Sequence, residues 1–336
     1  MNTILYNLRM GRAAAAFVAV CALYIGTMPF ANAQIGGATT EQMKALKLRT
    51  LLVVIEEPNT ALLDHLTPEE RTIYTDDITA YNAAMQTNVQ AAWKFCDKVL
   101  YKTRDEVNAL IATDKLRGTS EYAYLEFSKY AEQFSTAASF RQTVPLHDRA
   151  QLYSATLPNP ALKVSRMDIR LVESIEELPL YAELMPSPFP TRGELLLALK
   201  QLQNQLDYRL RGMSYADMYR VSRSSGAKLQ TYTLLLDKEW CSNEIAPEGL
   251  KTQYYYPFQI VAHSRIEEVL THEEEKTAIV QCIPISEQAV VYKVYDPKSG
   301  IELAKTFPEQ FAALDSTAKG RLKLSHIRDF AKAANR

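Results

Sequence analysis

Glycine is unusually scarce in this sequence, with 11 in 336 residues against a usual share of about 7%. Loops that hold phosphate groups depend on glycine, and neither G-x-G-x-x-G nor G-x-x-x-x-G-K-[S/T] occurs in the chain. The standard sequence signatures of dinucleotide and nucleoside-triphosphate binding are therefore absent. We expect no nucleotide and no other cofactor.

Other signals of binding or catalysis are also missing. The formal charge of −1 gives no electrostatic basis for nucleic-acid binding. None of the five histidines stands four residues from another, and there is no H-E-x-x-H or C-x-x-C motif, so no metal site is expected. No serine lies in a G-x-S-x-G motif. The usual hydrolase and metalloenzyme patterns are thus excluded.

Residues 1–33 have the pattern of a secretory signal peptide. Arg9 and Arg12 precede a short apolar run, and small residues at the end of the segment predict cleavage after Ala33. The alternatives are an uncleaved membrane anchor and a lipoprotein attached through Cys21. No later segment has 18 consecutive apolar residues, so we expect no transmembrane segment after cleavage. The signal predicts export, to the periplasm or the cell exterior.

Cleavage would leave a chain with a formal charge of −3 and three cysteines, Cys96, Cys241 and Cys282. An odd number in an oxidising compartment means that at least one is unpaired or pairs between chains. A Cys241–Cys282 disulfide and a set of buried thiols both remain open. Either way, three cysteines are too few for a disulfide framework.

The first half of the chain alternates strand and helix signals. Residues 34–46 are small and polar and predict a flexible lead. The apolar, β-branched run Thr50–Ile55 predicts a strand buried on both faces, as in a parallel sheet. The capping box at 67–70, with proline at the first helical position, predicts a helix to about Ala92. Further predicted elements are strands at 93–101 and 121–127, a half-exposed edge strand at 165–172, and capped helices from Thr103 and Thr191, the latter ending near Gly212.

The second half repeats this order of signals. Predicted strands at 229–236, 259–262 and 277–283 flank a capping box at 264–267. In this comparison Thr50–Ile55 matches 231–236, and the box at 103–106 matches 264–267. A hairpin turn at 296–300, another capping box at 306–309 and a last helix at 322–333 follow.

This order predicts an α/β (or α+β) protein made of two sheet-containing modules. Each module is expected to contain βαβ-type units with helices packed on its sheet. We place the modules at 47–212 and 228–336, joined by a linker at 213–227. An internal duplication and the general similarity of βαβ units are alternative explanations of the repeat.

Acidic residues follow the first strand of each predicted module. Glu56 and Glu57 follow one strand, and Asp237 and Glu239 follow its counterpart. Open α/β sheets bind ligands beyond the carboxyl ends of their strands. Paired carboxylates can divide the roles of acid and base, so these four residues are the catalytic candidates. The alternative is that they cap helices or face water.

The dense aromatic run Tyr254, Tyr255 and Tyr256 supplies the ligand-binding candidates. Tyrosine offers a large contact area together with a polar group, which suits carbohydrate or protein surfaces. Packing in the core is the alternative role for these side chains.

Three segments resemble secreted α/β proteins of the Bacteroidota to which no activity is attached. They are Thr50–Ile55, the aromatic segment 93–101, and the pairing of 234–240 with 256–261. The resemblance covers most of the chain after the signal. It implies a location in a Gram-negative envelope, and it implies no activity and no site residues.

These observations favour a non-catalytic envelope protein that binds a protein partner or a small ligand. One alternative is a hydrolase that uses the acidic residues after the first strand of a module. The other is a structural scaffold, in which the helices at 68–92 and 191–211 dock other subunits of an envelope assembly.

Overall fold

Two mixed β-sheets with the same strand order organise the chain. The computed structural model describes residues 38–130, 143–145, 165–172, 179–186, 190–286, 289–310 and 322–336. The predicted signal peptide, including Cys21, lies outside the described residues. The α/β class and the two sheet-containing modules predicted from the sequence are confirmed.

The first sheet has the order β2–β1–β3–β5–β6. Strand β1 runs parallel to β2 and β3, whereas β5 is antiparallel to β3 and to β6. A short strand, β4, pairs with β3. The bounds are β1 Thr50–Ile55, β2 Lys98–Thr103, β3 Tyr122–Tyr130, β4 Thr143–Pro145, β5 Ser165–Leu171 and β6 Tyr181–Met185.

The second sheet has the order β8–β7–β9–β10–β11, with a short strand, β12, on β10. Strand β7 is parallel to β8 and β9, and β10 is antiparallel to β9 and β11. For these five strands, order and direction match the first sheet, whereas β4 and β12 pair with strands that are not equivalent. The bounds are β7 Thr233–Asp237, β8 Phe258–Val261, β9 Thr277–Ser286, β10 Ala289–Tyr295, β11 Glu302–Lys305 and β12 Glu309–Gln310.

Helices connect the parallel strands in both modules. The described helices of the first module are α1 Thr40–Leu48, α2 Thr60–Leu63, α3 Pro68–Ala92, α4 Arg104–Arg117 and α5 Arg192–Leu210. Those that follow are α6 Tyr215–Ser225, α7 Pro247–Gln253, α8 His263–His272 and α9 Leu324–Ala334, with a 3-10 helix at Gly226–Gln230. Helices α4 and α8 occupy the same place, between the second and third strands of their modules.

Side-chain caps account for several helix starts. Thr67, Thr103 and Thr191 each accept a hydrogen bond from the backbone N–H three residues on, and a glutamate at that position bonds back to the cap. These are the capping boxes that the sequence predicts. At the other end of α5, Gly212 has a φ of 78°, a left-handed conformation that glycine adopts without steric cost.

Helices cover both faces of β1, which explains its unbroken apolar sequence. Leu51 and Val53 pack with α1, α3 and α5 in the main core of the first module. Leu52 and Val54 pack on the opposite face against α4. The second module repeats the arrangement, with α7 and α9 on one face of β7 and α8 on the other. The prediction of a strand buried on both faces is therefore correct.

The two sheets align in a register that differs from the sequence comparison. The β1–β3 ladder starts at Thr50 opposite Tyr122, and the β7–β9 ladder starts at Thr233 opposite Thr277. Thr50 is thus equivalent to Thr233, two residues beyond the predicted match. The predicted strand 229–236 begins late because Gly226–Gln230 forms a 3-10 helix.

Two segments expected to be irregular are helical. Residues 40–46 of the predicted flexible lead belong to α1, which buries Met43 and Leu46 completely. The predicted linker 213–227 contains α6, capped by Ser214. The 3-10 helix that follows it packs closely on α9, since a Cβ at Gly226 would lie 2.6 Å from the carbonyl oxygen of Ala333. Polar composition was misleading in both cases, because each helix buries only a few apolar side chains.

Strand β5 corrects another prediction. Its alternating pattern suggested a half-exposed edge strand, but it lies between β3 and β6 and every residue is buried. The polar side chains on one face form ion pairs instead of meeting water. Arg170 lies 2.9 Å from Asp168 and 3.3 Å from Glu126, and Arg166 also pairs with Asp168. Period-two polarity can therefore mark a buried ionic face as well as a solvated one.

The predicted capping box at 306–309 does not start a helix within the described residues. The hydroxyl of Thr306 accepts a bond from the Tyr292 N–H, and Glu309–Gln310 is strand β12. No disulfide joins Cys241 to Cys282, and the three cysteines among the described residues carry thiols. Among the helices that the structure describes, none is both long and apolar enough to cross a membrane.

Candidate functional site

A cleft lies where the carboxyl end of β7 meets the first turns of α8 and α5. It has a volume of about 320 Å³, including its open mouth. Asp237, the last residue of β7, and Gln281 of the neighbouring β9 line it. Since Leu235 pairs with Ile279, these two residues lie side by side on the same face of the sheet. The cleft is thus at the strand ends where α/β sheets usually bind ligands.

His263 and Asp237 form an ion pair at this position. The imidazole Nδ1 lies 2.7 Å from Asp237 Oδ2, and the other carboxylate oxygen accepts the Glu239 N–H at 2.9 Å. The hydrogen bond to Asp237 raises the pKa of His263 to about 9. At neutral pH the imidazole is therefore protonated, and Nδ1–H is the donor. Its side chain is 40% exposed, against 3% for Asp237.

Glu267 of α8 closes the other side of the cleft by capping α5 of the first module. One carboxylate oxygen accepts the Thr191 hydroxyl at 2.5 Å, and the other accepts the Gly193 N–H at 2.8 Å. A carboxylate is favourable at a helix N-terminus. A side chain on residue 193 would obstruct this contact, because its Cβ would lie 2.5 Å from the Leu270 Cβ.

Glu194 is the buried acid of the cleft. Its carboxylate accepts the Thr191 N–H at 2.9 Å, as the reciprocal bond of the capping box. Burial raises the pKa of Glu194 to about 7, with the nearby Glu267 carboxylate acting in the same direction. This carboxyl group therefore changes charge near neutral pH.

Gln281 differs from the other polar groups of the cleft. The residue is 7% exposed, and its side-chain amide makes no hydrogen bond to any residue in the described part of the chain. The two amide atoms still reach the solvent of the cleft, because neither is among the buried side-chain atoms without a partner. Such a group in a cleft is a candidate for contact with a ligand.

The first module shows what a filled version of this site looks like. In the register of the two sheets, Glu126 is equivalent to Gln281 and Arg104 to His263. Arg104 forms an ion pair with Glu126, and Arg170 also contacts Glu126. In the second module His263 turns to Asp237 instead, where the first module has the apolar Val54. Gln281 thereby loses the partner that its equivalent has.

The four acidic candidates from the sequence do not converge. Asp237 lines the cleft, and Glu239 contributes its backbone N–H to Asp237. Glu56 and Glu57 belong to the first module and follow β1. Glu56 is buried, with its backbone held by two 2.8 Å hydrogen bonds to Asn82, while Glu57 is exposed.

The three tyrosine candidates lie elsewhere in the second module. Tyr254 is buried, and its hydroxyl donates to the Leu229 carbonyl oxygen at 3.2 Å. Tyr256 packs edge-on against Tyr254 and bonds to Asn335 at 2.7 Å. Only Tyr255 is largely exposed. Two of the three side chains therefore serve to pack the segment against its own module.

Sequence reasoning missed His263, Glu194 and Gln281. The capping pattern at 264–267 hid the role of His263, because α8 begins at His263, two residues before the start that a cap at Ser264 predicts. Its N-cap is Ala262, which offers no side-chain bond, and Glu267 bonds to α5. No group of three or more His, Cys, Asp or Glu side chains arranged for a metal ion occurs among the described residues.

Comparison with known proteins adds no relative: no family model, no curated protein and no solved structure matches this chain.

Proposed function

We propose that this chain is a non-catalytic binding protein of the cell envelope and that its ligand enters the cleft beside Gln281. The observation that carries the proposal is the side-chain amide of Gln281, which lines the cleft and makes no hydrogen bond to any described residue. The equivalent residue of the first module is satisfied by ion pairs. A ligand that bonds to Gln281 would give this amide a partner, as Glu126 has in the first module.

Two titratable groups of the cleft, His263 and Cys282, favour binding over turnover. His263 has a pKa of about 9 and is protonated at neutral pH, so it is not available as a general base there. Burial raises the pKa of the Cys282 thiol, which works against thiolate formation. Thr191 uses its hydroxyl to cap α5, as donor to Glu267 and acceptor of the Glu194 N–H.

The experiment is native mass spectrometry of the protein isolated from a Gram-negative envelope. We expect a ligand-bound species in the unmodified protein that Gln281→Met abolishes. The control is Glu57→Gln, which changes an exposed side chain of the first module and should leave the bound species unchanged. Identical spectra for the protein and Gln281→Met would contradict the proposal.

The location rests on residues 1–33, whose pattern is that of a cleaved signal. Sequencing the N-terminus of the exported protein should give Gln34 as the first residue. Retention of residues 1–33 after export would contradict cleavage at this position.

A second candidate function is acid–base hydrolysis at the same cleft. Glu194 favours it, because a carboxyl group with a pKa of about 7 can transfer a proton near neutral pH. This function predicts turnover of peptide, ester or glycoside reporter substrates that Glu194→Gln abolishes. Absence of turnover in the unmodified protein would exclude it for the substrates tested.

A further inference from the structure

We infer that the ligand of the cleft is a short extended peptide segment whose backbone pairs with the Gln281 side chain. The inference rests on the proposed function and specifies its ligand. A carboxamide offers a donor and an acceptor side by side. A residue in an extended chain presents its own N–H and C=O on one side, the arrangement by which strand residues exchange both bonds.

The remaining polar groups of the cleft leave little opportunity for a charged ligand. Both oxygens of Asp237 have partners, as do both oxygens of Glu267. A cationic ligand at Asp237 would lie beside the protonated His263, whose charge already balances that carboxylate. An anion would approach the carboxylates of Asp237, Glu267 and Glu194, which repel it. A neutral amide avoids both costs.

His263 adds a donor that suits a peptide carbonyl oxygen. Its Nδ1 is engaged with Asp237, so in the protonated ring Nε2–H is the second donor, on a side chain that is 40% exposed. Trp240, Ile266 and Leu270 supply apolar lining. One carboxamide, one cationic donor and an apolar wall match a peptide backbone with a small side chain.

The backbone of β9 extends the same surface. Strand β7 pairs with β9 only as far as Ile279, whereas β9 continues to Ser286. Residues 280–282 therefore line the cleft beyond the end of the β7 ladder. An extended peptide lying here would run alongside a strand, as in other complexes formed by strand addition.

The test is a titration of the ¹⁵N-labelled protein with N-acetyl-alanyl-alanine N-methylamide, followed by NMR. We expect shifts in the backbone amides of 280–282 and in the Gln281 side-chain NH₂ signal, which Gln281→Met identifies by its loss. A matched depsipeptide, in which an ester replaces one amide, lacks one donor and should bind up to about 10-fold more weakly. Gln281→Met should bind the peptide at least as weakly, and Glu57→Gln should bind it normally.

Cellobiose and putrescine serve as competing probes for a sugar and a cation. If either shifts the cleft residues and the peptide does not, the peptide inference is wrong and the proposed function stands. Equal affinity of the peptide for the unmodified protein and Gln281→Met would also overturn the inference. If no probe shifts the cleft and isolated protein carries no ligand, both proposals fail.

Discussion

Replacing Gly193 with alanine is a direct test of the close contact between α5 and α8. The added Cβ would lie 2.5 Å from the Leu270 Cβ and 2.6 Å from a Glu267 carboxylate oxygen. Ordinary carbon–carbon contacts are about 3.5–4.0 Å, so the helices would have to separate by roughly 1 Å. The Leu270 Cβ is attached directly to the α8 backbone and cannot rotate away.

The expected loss of stability follows from two unfavourable effects and one favourable effect. Overpacking costs about 1–3 kcal/mol. The Glu267 bond to the Gly193 N–H, now 2.8 Å, would be weakened. Alanine gains at most about 1 kcal/mol of helix propensity over glycine. We expect a net loss of about 2 kcal/mol, or roughly 4 °C in Tm for a chain of this size.

The assay is thermal and urea unfolding followed by circular dichroism. Gly249→Ala in α7 is the matched control, because its added Cβ would come no closer than 3.4 Å to another atom and should be tolerated or stabilising. If Gly193→Ala raises Tm as much as Gly249→Ala, the close helix contact described here is incorrect.

The other predictions concern pH, capping and the unpartnered amide. The pKa of His263 rises from 6.5 to about 9 on folding, so its stabilisation is complete below pH 6.5 and lost towards pH 9. In His263→Gln, Tm should change less with pH between 6.5 and 9. Folding raises the pKa of Glu194 from 4.5 to about 7, so the stability of the protein should fall as the pH rises from 4.5 to 7. Glu194→Gln should remove this dependence on pH. Calorimetry should show that Thr103→Ala lowers the free energy of unfolding by about 1 kcal/mol. Ala262→Ser, which supplies the cap that α8 lacks, should raise it slightly. Gln281→Met should change the free energy of unfolding by less than about 0.5 kcal/mol in urea unfolding, because solvent in the cleft reaches the amide; a loss above that would indicate that the amide has a partner.

The local fold was predictable where one residue's chemistry decides the structure. The boxes at Thr67, Thr103 and Thr191 start helices because a threonine hydroxyl and a glutamate satisfy backbone N–H groups within four residues. The apolar run Thr50–Ile55 was also reliable, because a strand covered on both faces has no polar side.

Prediction failed where the partner is distant in sequence. Glu267 fitted a local cap, but its bonds go to a helix 74 residues earlier. The polar face of β5 suggested solvent, because its pairing with β6 and the ion pair of Arg170 with Glu126 both involve other strands. In the site, Asp237 was found from its place after a strand. Gln281 gave no signal, since its significance depends on the register that also identifies its satisfied equivalent, Glu126.

The cap that Glu267 provides for α5 has a consequence for synthesis of the chain. The ribosome makes Gly193 first and Glu267 74 residues later. At about 5–20 residues per second, the interval is roughly 4–15 s. During that time the N-terminus of α5 lacks the Glu267 carboxylate, and α8 does not yet cover the surface of α5 around Gly193. A nascent chain stalled before Glu267 should therefore be cut by protease near the start of α5, and one that extends past α8 should resist.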